Sequence, residues 1–263
     1  MKNLTRFLVL TIFLFATIQA YAWGTTGHRV VAEIAENHLS NKAKKQLKKI
    51  IGEQPLAYWA NWGDFVKSNP DWKMADSWHY INFPSGLSQL DFEENLNNSS
   101  DENLYKRSLI IIDELKNNKN LSLQKKQENL YFLIHLIGDA HQPLHIGREE
   151  DLGGNKIQVE WFRDQTNLHS LWDTKLVDFQ NYSYTEYAEV LDFHDKKFNQ
   201  NLTHGNLNNW LFDSYQKAEI IYNNAKSGDK LSYKYNYDNV SMLEEQLLKG
   251  GLRLAKVLNH VFD

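Results

Sequence analysis

The chain of 263 residues contains no cysteine, only four prolines and three methionines, and no excess of basic charge. Without cysteine there is no disulfide, no cysteine nucleophile, no thiolate zinc site and no lipoprotein anchor. The formal net charge is −4, so surface charge alone does not make a nucleic-acid binder. Any polyanionic substrate must be drawn by something that a count of side chains omits, such as bound cations. No Pro/Gly/Ser-rich linker and no internal repeat interrupts the sequence, which favours a single domain. The longest apolar stretch, Phe7 to Ile18, falls short of the roughly twenty residues that span a bilayer.

That stretch instead completes a secretory leader. Lys2 and Arg6 form a basic start, the apolar run follows, and Ala20-Tyr21-Ala22 supplies the A-x-A cleavage pattern. The expectation is a signal peptide over 1–22, cleavage after Ala22, and an exported domain over 23–263, secreted or periplasmic. Losing Lys2 and Arg6 takes the net charge from −4 to −6. An exported domain without disulfides needs a good core or another staple, and metal can provide one. The same lack favours a bacterial type of exported protein.

What the sequence does have is the stretch Tyr131–His145, YFLIHLIGDAHQPLH. Phe132, Leu133, Ile134, Leu136 and Ile137 read as a buried helix. His135 and Asp139 sit within it at i, i+4, on one helical face and able to aim at one point. Pro143 ends or kinks the helix, because its ring clashes with the carbonyl four residues back. His145 follows the bend and can return to the same place. A carboxylate is costly to bury unless it is paired or binds metal, so an Asp one turn from a His in an apolar helix points to a metal site.

Elsewhere the sequence reads as mostly helix. Val30, Val31, Ile34, Ala35 and Leu39 give an amphipathic pattern over 27–39, and a Lys-rich helix follows. Trp59, Trp62 and Val66 form an apolar stripe with Asp64 and Lys67 set beside it. Trp78-His79-Tyr80-Ile81-Asn82 places a His next to an aromatic and an amide. Residues 91–100 read as an acidic surface loop, and Leu104–Leu115 as a helix. Ile157, Val159 and Trp161 alternate with polar residues as a half-buried strand of a small hairpin. His169 and Asp173 repeat the spacing of His135 and Asp139. Helical patterns cover 185–198, 208–226 and 240–262, and Gly250-Gly251 would let another helix approach closely. His38, His194, His204 and His260 have no partner at ligand spacing. Leader cleavage would also create a free α-amino group on Trp23, with a pKa near 8. That nitrogen and the Trp23 carbonyl oxygen could chelate a metal, with His28 as the next ligand.

Collected, the candidate ligands are Trp23, His28, Asp64, His79, His135, Asp139, His145, His169 and Asp173. All offer nitrogen or oxygen. Imidazole-rich sites without sulfur suit zinc and its neighbours rather than calcium or magnesium. Eight side chains exceed what one tetrahedral ion uses, so a multinuclear site is implied.

The ordered motifs WGTTGH, WGD, WHYIN, H-x-x-x-D-x-x-Q-P-x-H, GGN and H-x-x-x-W-D run from Trp23 to Asp173. In these the chain resembles the zinc-dependent single-strand nucleases of the fungal P-one and S-one type, as a bacterial-like member. The resemblance implies a mainly α, single all-helical domain of the phospholipase C/P-one nuclease type with one small β-hairpin. It also implies three zinc ions. Asp64, His79 and His135 would hold one, and Asp139 would bridge it to a second bound by the Trp23 terminus and His28. His145, His169 and Asp173 would hold the third.

The implied reaction is hydrolysis of single-stranded RNA and DNA to 5′-phosphate products, and of 3′-nucleotides as well. Hydroxide at the Asp139-linked pair would attack phosphorus, and the third zinc would stabilise the departing 3′ oxygen. Three Zn²⁺ against three Asp leave a positive cleft on an acidic protein, which resolves how it attracts phosphate. Lys67, Asp64 and Asp139 would carry the chemistry. His141 lies in the motif without being a ligand, and the expectation is that it orients a carboxylate.

The base pocket would be Tyr80, Asn82, Asn155 and Leu152. Lys67 stands where the fungal pattern has Arg, a point charge in place of a fork. Tyr80 and Asn82 stand where Phe and Asp are usual; Asn both donates and accepts, so base preference is expected to shift or relax. The loop from His145 to Asn155 is one residue longer than the pattern, and the family's disulfides are missing. Two rival readings share the ligands. A zinc-dependent phospholipase C would end its ligand set with Glu where this chain has Asp173. A non-catalytic zinc-binding protein would not need Lys67 or a stacking Tyr80. The expected form is an unanchored monomer.

Overall fold

The computed structural model describes residues 23–263 and is mainly α-helical with one small sheet. The expected signal peptide, 1–22, lies outside the described residues. The first third runs through α1 (Thr25–Asn37), α2 (Asn41–Ile51) and two short turns, α3 (Leu56–Trp59) and α4 (Trp62–Phe65), extended by 3-10 turns to His79. Next come α5 (Gln89–Asn97), α6 (Leu104–Asn117), α7 (Leu123–Asp139) and a 3-10 turn, Pro143–Ile146. A hairpin of β1 (Gln158–Trp161) and β2 (Asp164–Asn167) leads into α8 (Leu168–Ser170), a π-helical turn (Leu171–Lys175) and α9 (Leu176–Phe179). Last are α10 (Tyr184–Leu191), α11 (Lys196–Leu202), α12 (Leu207–Asn224), β3 (Lys230–Leu231) and α13 (Tyr233–Phe262).

The central element is α7. Ser122 caps its start by accepting the Lys125 amide, and every residue from Asn129 to Asp139 is buried. A helix apolar on all sides belongs in the middle of a core. It stops at Asp139, four residues before Pro143, where the proline ring would meet the helical carbonyl. Pro143 then opens the short turn that carries His145 back toward α7.

Helix α1 packs closely on α13, as the glycine pair requires. A Cβ on Gly251 would lie 2.5 Å from the Ile34 Cβ, and one on Gly250 would lie 3.0 Å from Val31 Cγ2. No helix among the described residues is long and apolar enough to cross a membrane.

The structure corrects the sequence reading in four places. Residues 91–100 are not a loop: most lie in α5, which Ser88 caps by accepting the Asp91 amide, and which buries Phe92 and Leu96 one turn apart. The 185–198 pattern is two helices. Asp195 begins the second by accepting the Phe198 amide at 2.8 Å, as a carboxylate at an N-cap does. The last helix starts at Tyr233 rather than 240. The expected hairpin is present, but β3 joins it in parallel to make the order β2-β1-β3. Two residues are too few to show a strand period.

Candidate metal centre

Two close approaches bring the candidate ligands to the end of α7. A Cβ on Gly63 would lie 2.8 Å from the His135 ring, so only glycine lets α4, with Asp64, seat against His135. A Cβ on Gly138 would lie 2.7 Å from His28 Nδ1, so the bare backbone of α7 admits α1 with its His28. The His28 and His135 rings stack at 3.9 Å.

Three groups of donor atoms result. Asp64, His79 and His135 form one, with His135 Nε2 3.1 Å from His79 Nδ1 and 3.6 Å from Asp64 Oδ1. His28, His135 and Asp139 form a second, with His28 Nε2 3.3 Å from Asp139 Oδ1. His145, His169 and Asp173 form a third; His145 Nε2 is 3.7 Å from Asp173 Oδ1 and His169 Nε2 is 3.3 Å from Oδ2. Asp139 joins the first two, because Oδ1 faces His28 while Oδ2 lies 3.0 Å from His79 Nδ1 and 3.4 Å from His135 Nε2. Its Oδ1 is also 3.9 Å from the His145 ring, which links the third group. The π-helical turn holds Asp173 in the third group; such turns recur at functional sites.

Hydrogen bonds behind the rings fix which nitrogen faces inward. Nδ1 of His135 donates to the Ala60 carbonyl at 2.7 Å, that of His145 to the His79 carbonyl at 2.6 Å, and that of His169 to the Gly153 carbonyl at 2.6 Å. A carbonyl only accepts, so the proton sits on Nδ1 and each Nε2 presents a lone pair to the cluster. Both His28 nitrogens, Nε2 of His79, His145 and His169, Asp139 Oδ1 and Asp173 Oδ2 are buried without a hydrogen-bond partner. An orphaned buried polar atom costs about 1–3 kcal/mol. Those among these atoms that face one another, Nε2 of His28, His145 and His169 with Asp139 Oδ1 and Asp173 Oδ2, are all of ligand type and fit metal cations.

Charge points the same way. Burial holds His28 down to about 3 and His135 to about 4, and it lowers His79 and His169 as well, so these rings are neutral donors. Burial raises Asp139 to about 6 and lifts Asp173 well above the usual carboxylate range. Burial pushes Asp64 up too, but His135, Lys67 and His28 together outweigh it and hold this carboxyl low. Asp139 and Asp173, by contrast, become comfortable as anions only beside strong positive charge, which bound cations supply.

The remaining expected residues surround this cluster. Trp23 is buried at the head of α1, and the next amide, Gly24, donates to the Asp173 carbonyl at 2.6 Å. Lys67 Nζ lies 2.6 Å from Asp64 Oδ1. The 80–83 segment runs beside 145–147, through Ile81 N–H to His145 O and Phe83 N–H to Gly147 O, both 2.9 Å. Tyr80, directly after His79, is 44 % exposed, and Leu152 is 53 % exposed. Asn82 and Asn155 each have a buried side-chain oxygen without a partner. The Asn155 amide nitrogen donates to Leu152 O at 2.8 Å.

His141 does not orient a carboxylate. Its Nδ1 donates to the Ile137 carbonyl at 2.7 Å and its Nε2 accepts from Arg253 at 3.0 Å, so it faces α13 and away from the donors. The residue that does orient a carboxylate is Gln142, whose Nε2 donates to Asp173 Oδ1 while its Oε1 accepts the Leu144 amide at 2.6 Å. Sequence reasoning missed it, although a buried amide between two ligands in the Q-P-x-H motif was the available signal.

Three adjoining nitrogen-and-oxygen donor groups around one buried helix are able to hold metal, the class of site that a metal-dependent enzyme carries. The S1/P1 Nuclease family model matches residues 23–263, and the chain belongs to that family. Among curated relatives, Endonuclease 4 of Arabidopsis thaliana is 28 % identical over 93 % of this chain and 90 % of its own. Nuclease S1 of Aspergillus oryzae is 25 % identical over 91 % of both, and Nuclease P1 of Penicillium citrinum 28 % over 91 % of this chain and 97 % of its own. The protein is thus an enzyme of the nuclease class.

Proposed function

We propose that the protein is an exported, zinc-dependent phosphodiesterase that hydrolyses single-stranded RNA and DNA to 5′-phosphate products, and that also hydrolyses 3′-nucleotides, releasing their phosphate. The observation that carries this reading is the convergence of neutral imidazole lone pairs and orphaned carboxylate oxygens around Asp139 in a chain of this family. Asp64, His79 and His135 would hold one zinc ion. Asp139 would share a second with His28 and the Trp23 terminus, and His145, His169 and Asp173 would hold a third. When bound, zinc lowers the pKa of water to about 7 and offsets charge on phosphoryl oxygens.

The chain's own residues set the rest. The two oxygens of Asp139 keep neighbouring groups in register, and the hydrogen bonds that His135, His145 and His169 donate to the carbonyls of Ala60, His79 and Gly153 keep three rings from turning. Lys67, held at Asp64, places an ammonium at the edge of the cluster, where it meets a phosphate oxygen as a point charge. Tyr80 presents a ring for a base to stack on. Asn82 and Asn155 offer amides to the base edge, with Leu152 as a wall. A stacking ring and amides that meet a base edge suit a substrate whose bases are free to be splayed out.

The test is hydrolysis by zinc-loaded protein that begins at Trp23, before and after chelation. Single-stranded RNA and DNA are offered beside phosphatidylcholine vesicles. Chelator-sensitive release of 5′-nucleotides is expected. Cleavage of lipid alone, or no turnover by zinc-replete protein, would overturn the reading.

A further inference from the structure

The turn from Gly147 to Asn155 follows His145 directly and holds an unusual backbone. Leu152, Gly153 and Gly154 have φ values of 55°, 63° and 86°, three left-handed residues in a row. Leu152 carries a Cβ, which that region disfavours, so the surroundings must impose the conformation. Inside the turn, Gly153 N–H donates to Arg148 O at 2.9 Å and Lys156 N–H to Asp151 O at 3.0 Å.

The outside grip comes from α12. Arg148 Nε and Nη2 donate to Glu219 Oε1 at 3.1 and 3.0 Å, and Nη2 also reaches Oε2 at 3.0 Å. The guanidinium lies 4.2 Å over the Tyr222 ring. The Tyr222 hydroxyl accepts the Arg148 amide at 3.1 Å and donates to Asp151 Oδ1 at 3.0 Å, which also accepts the Gly154 amide at 2.7 Å. A Cβ on Gly147 would lie 2.7 Å from that hydroxyl oxygen and 2.8 Å from Gly153 Cα, so the pieces are in direct contact.

Two opposite ends of the turn then matter. On its inner side the Gly153 carbonyl holds the Nδ1 proton of His169. On its outer side it displays Leu152 and Asn155. We propose that Arg148, Asp151, Glu219 and Tyr222 are positioning residues: a clamp from α12 that fixes this turn and thereby sets, together, the orientation of His169 and the place where the nucleotide rests. The substrate half of the proposal rests on the nuclease reading; the metal half does not. The Arg148–Glu219 ion pair, its side chains 22 % and 25 % exposed, still meets water and adds modest stability by itself, whereas disturbing the partner that orients a ligand typically weakens metal binding 10–100-fold. The clamp is therefore expected to act on affinity far more than on melting temperature.

The experiment compares the parent with Tyr222→Phe, Glu219→Ala and Glu219→Gln. Metal-stripped protein is titrated with zinc against a chromophoric chelator, and KM and kcat are measured on a single-stranded RNA oligonucleotide after zinc loading. Tyr222→Phe and Glu219→Ala should weaken one zinc equivalent about 10-fold or more and raise KM severalfold. Glu219→Gln, whose amide oxygen still accepts from Arg148, should stay near the parent on both. Variants that melt lower yet bind zinc and RNA like the parent would show a merely structural clamp and overturn the proposal. So would zinc affinity and KM that change independently of each other. If the parent itself fails to hydrolyse RNA, the nuclease reading falls and the zinc titration alone decides the clamp.

Discussion

Replacing Gln142 by Met removes two hydrogen bonds while keeping the volume of the side chain. The Leu144 amide loses its acceptor and Asp173 Oδ1 loses its donor, both in a fully buried place. The orphaned amide alone costs about 1–3 kcal/mol of stability, whether or not metal is bound. Loss of the group orienting Asp173 should weaken the third metal group 10–100-fold, or about 1.4–2.8 kcal/mol. At fixed saturating zinc, that loss of affinity appears as an extra loss of folding stability of the same size. Urea unfolding of parent and variant, each stripped and zinc-loaded, gives the two effects separately, and a direct zinc titration gives the affinity again. The two routes should agree. Equal destabilisation in stripped and loaded protein, with unchanged zinc affinity, would refute the role given to Gln142.

Three further outcomes are expected. Gly138→Ala forces a methyl group against His28 Nδ1, so overpacking of about 1–3 kcal/mol should come with weaker binding of one zinc equivalent; unchanged zinc binding would contradict the seating of α1 on α7. Metal-stripped protein should lose stability as the pH falls from about 6.5 toward 4, because burial holds His28 at about 3, His135 at about 4 and His141 at about 3, and also lowers His79 and His169, so the unfolded chain takes up protons first. Asp139, raised to about 6, and Asp173 oppose this trend but are outnumbered; urea melts that show flat stability from pH 7 to 5 would refute it. Asn82→Asp exchanges an amide that donates and accepts for a group that only accepts, so relative rates on the four homopolymers should change; identical profiles for variant and parent would sink the base-pocket assignment.

The candidate donors that the structure brings together were legible in the sequence because their chemistry leaves local marks. His135 and Asp139 stand out as polar groups in an apolar helix, and Pro143 shows where the chain turns back with His145. The Gly250-Gly251 pair likewise announced a close helix, which proved to be α1. What stayed hidden depends on distant partners or sparse patterns. In α5 only Phe92 and Leu96 face the core, and six acidic or amide neighbours mask two apolar residues. His141 and Gln142 are adjacent and both buried, yet one faces Arg253 and the other Asp173. Nothing in local spacing distinguishes them. The clamp on the 147–155 turn joins residues about seventy apart in sequence, as the Arg148–Glu219 and Asp151–Tyr222 separations of 71 show.

The most direct test of the account is to add zinc stepwise to metal-stripped protein while following hydrolysis of single-stranded RNA. Full activity should return only as the third equivalent binds, since all three donor groups adjoin at Asp139. Full activity at one equivalent or fewer, or activity that never depended on zinc, would contradict it.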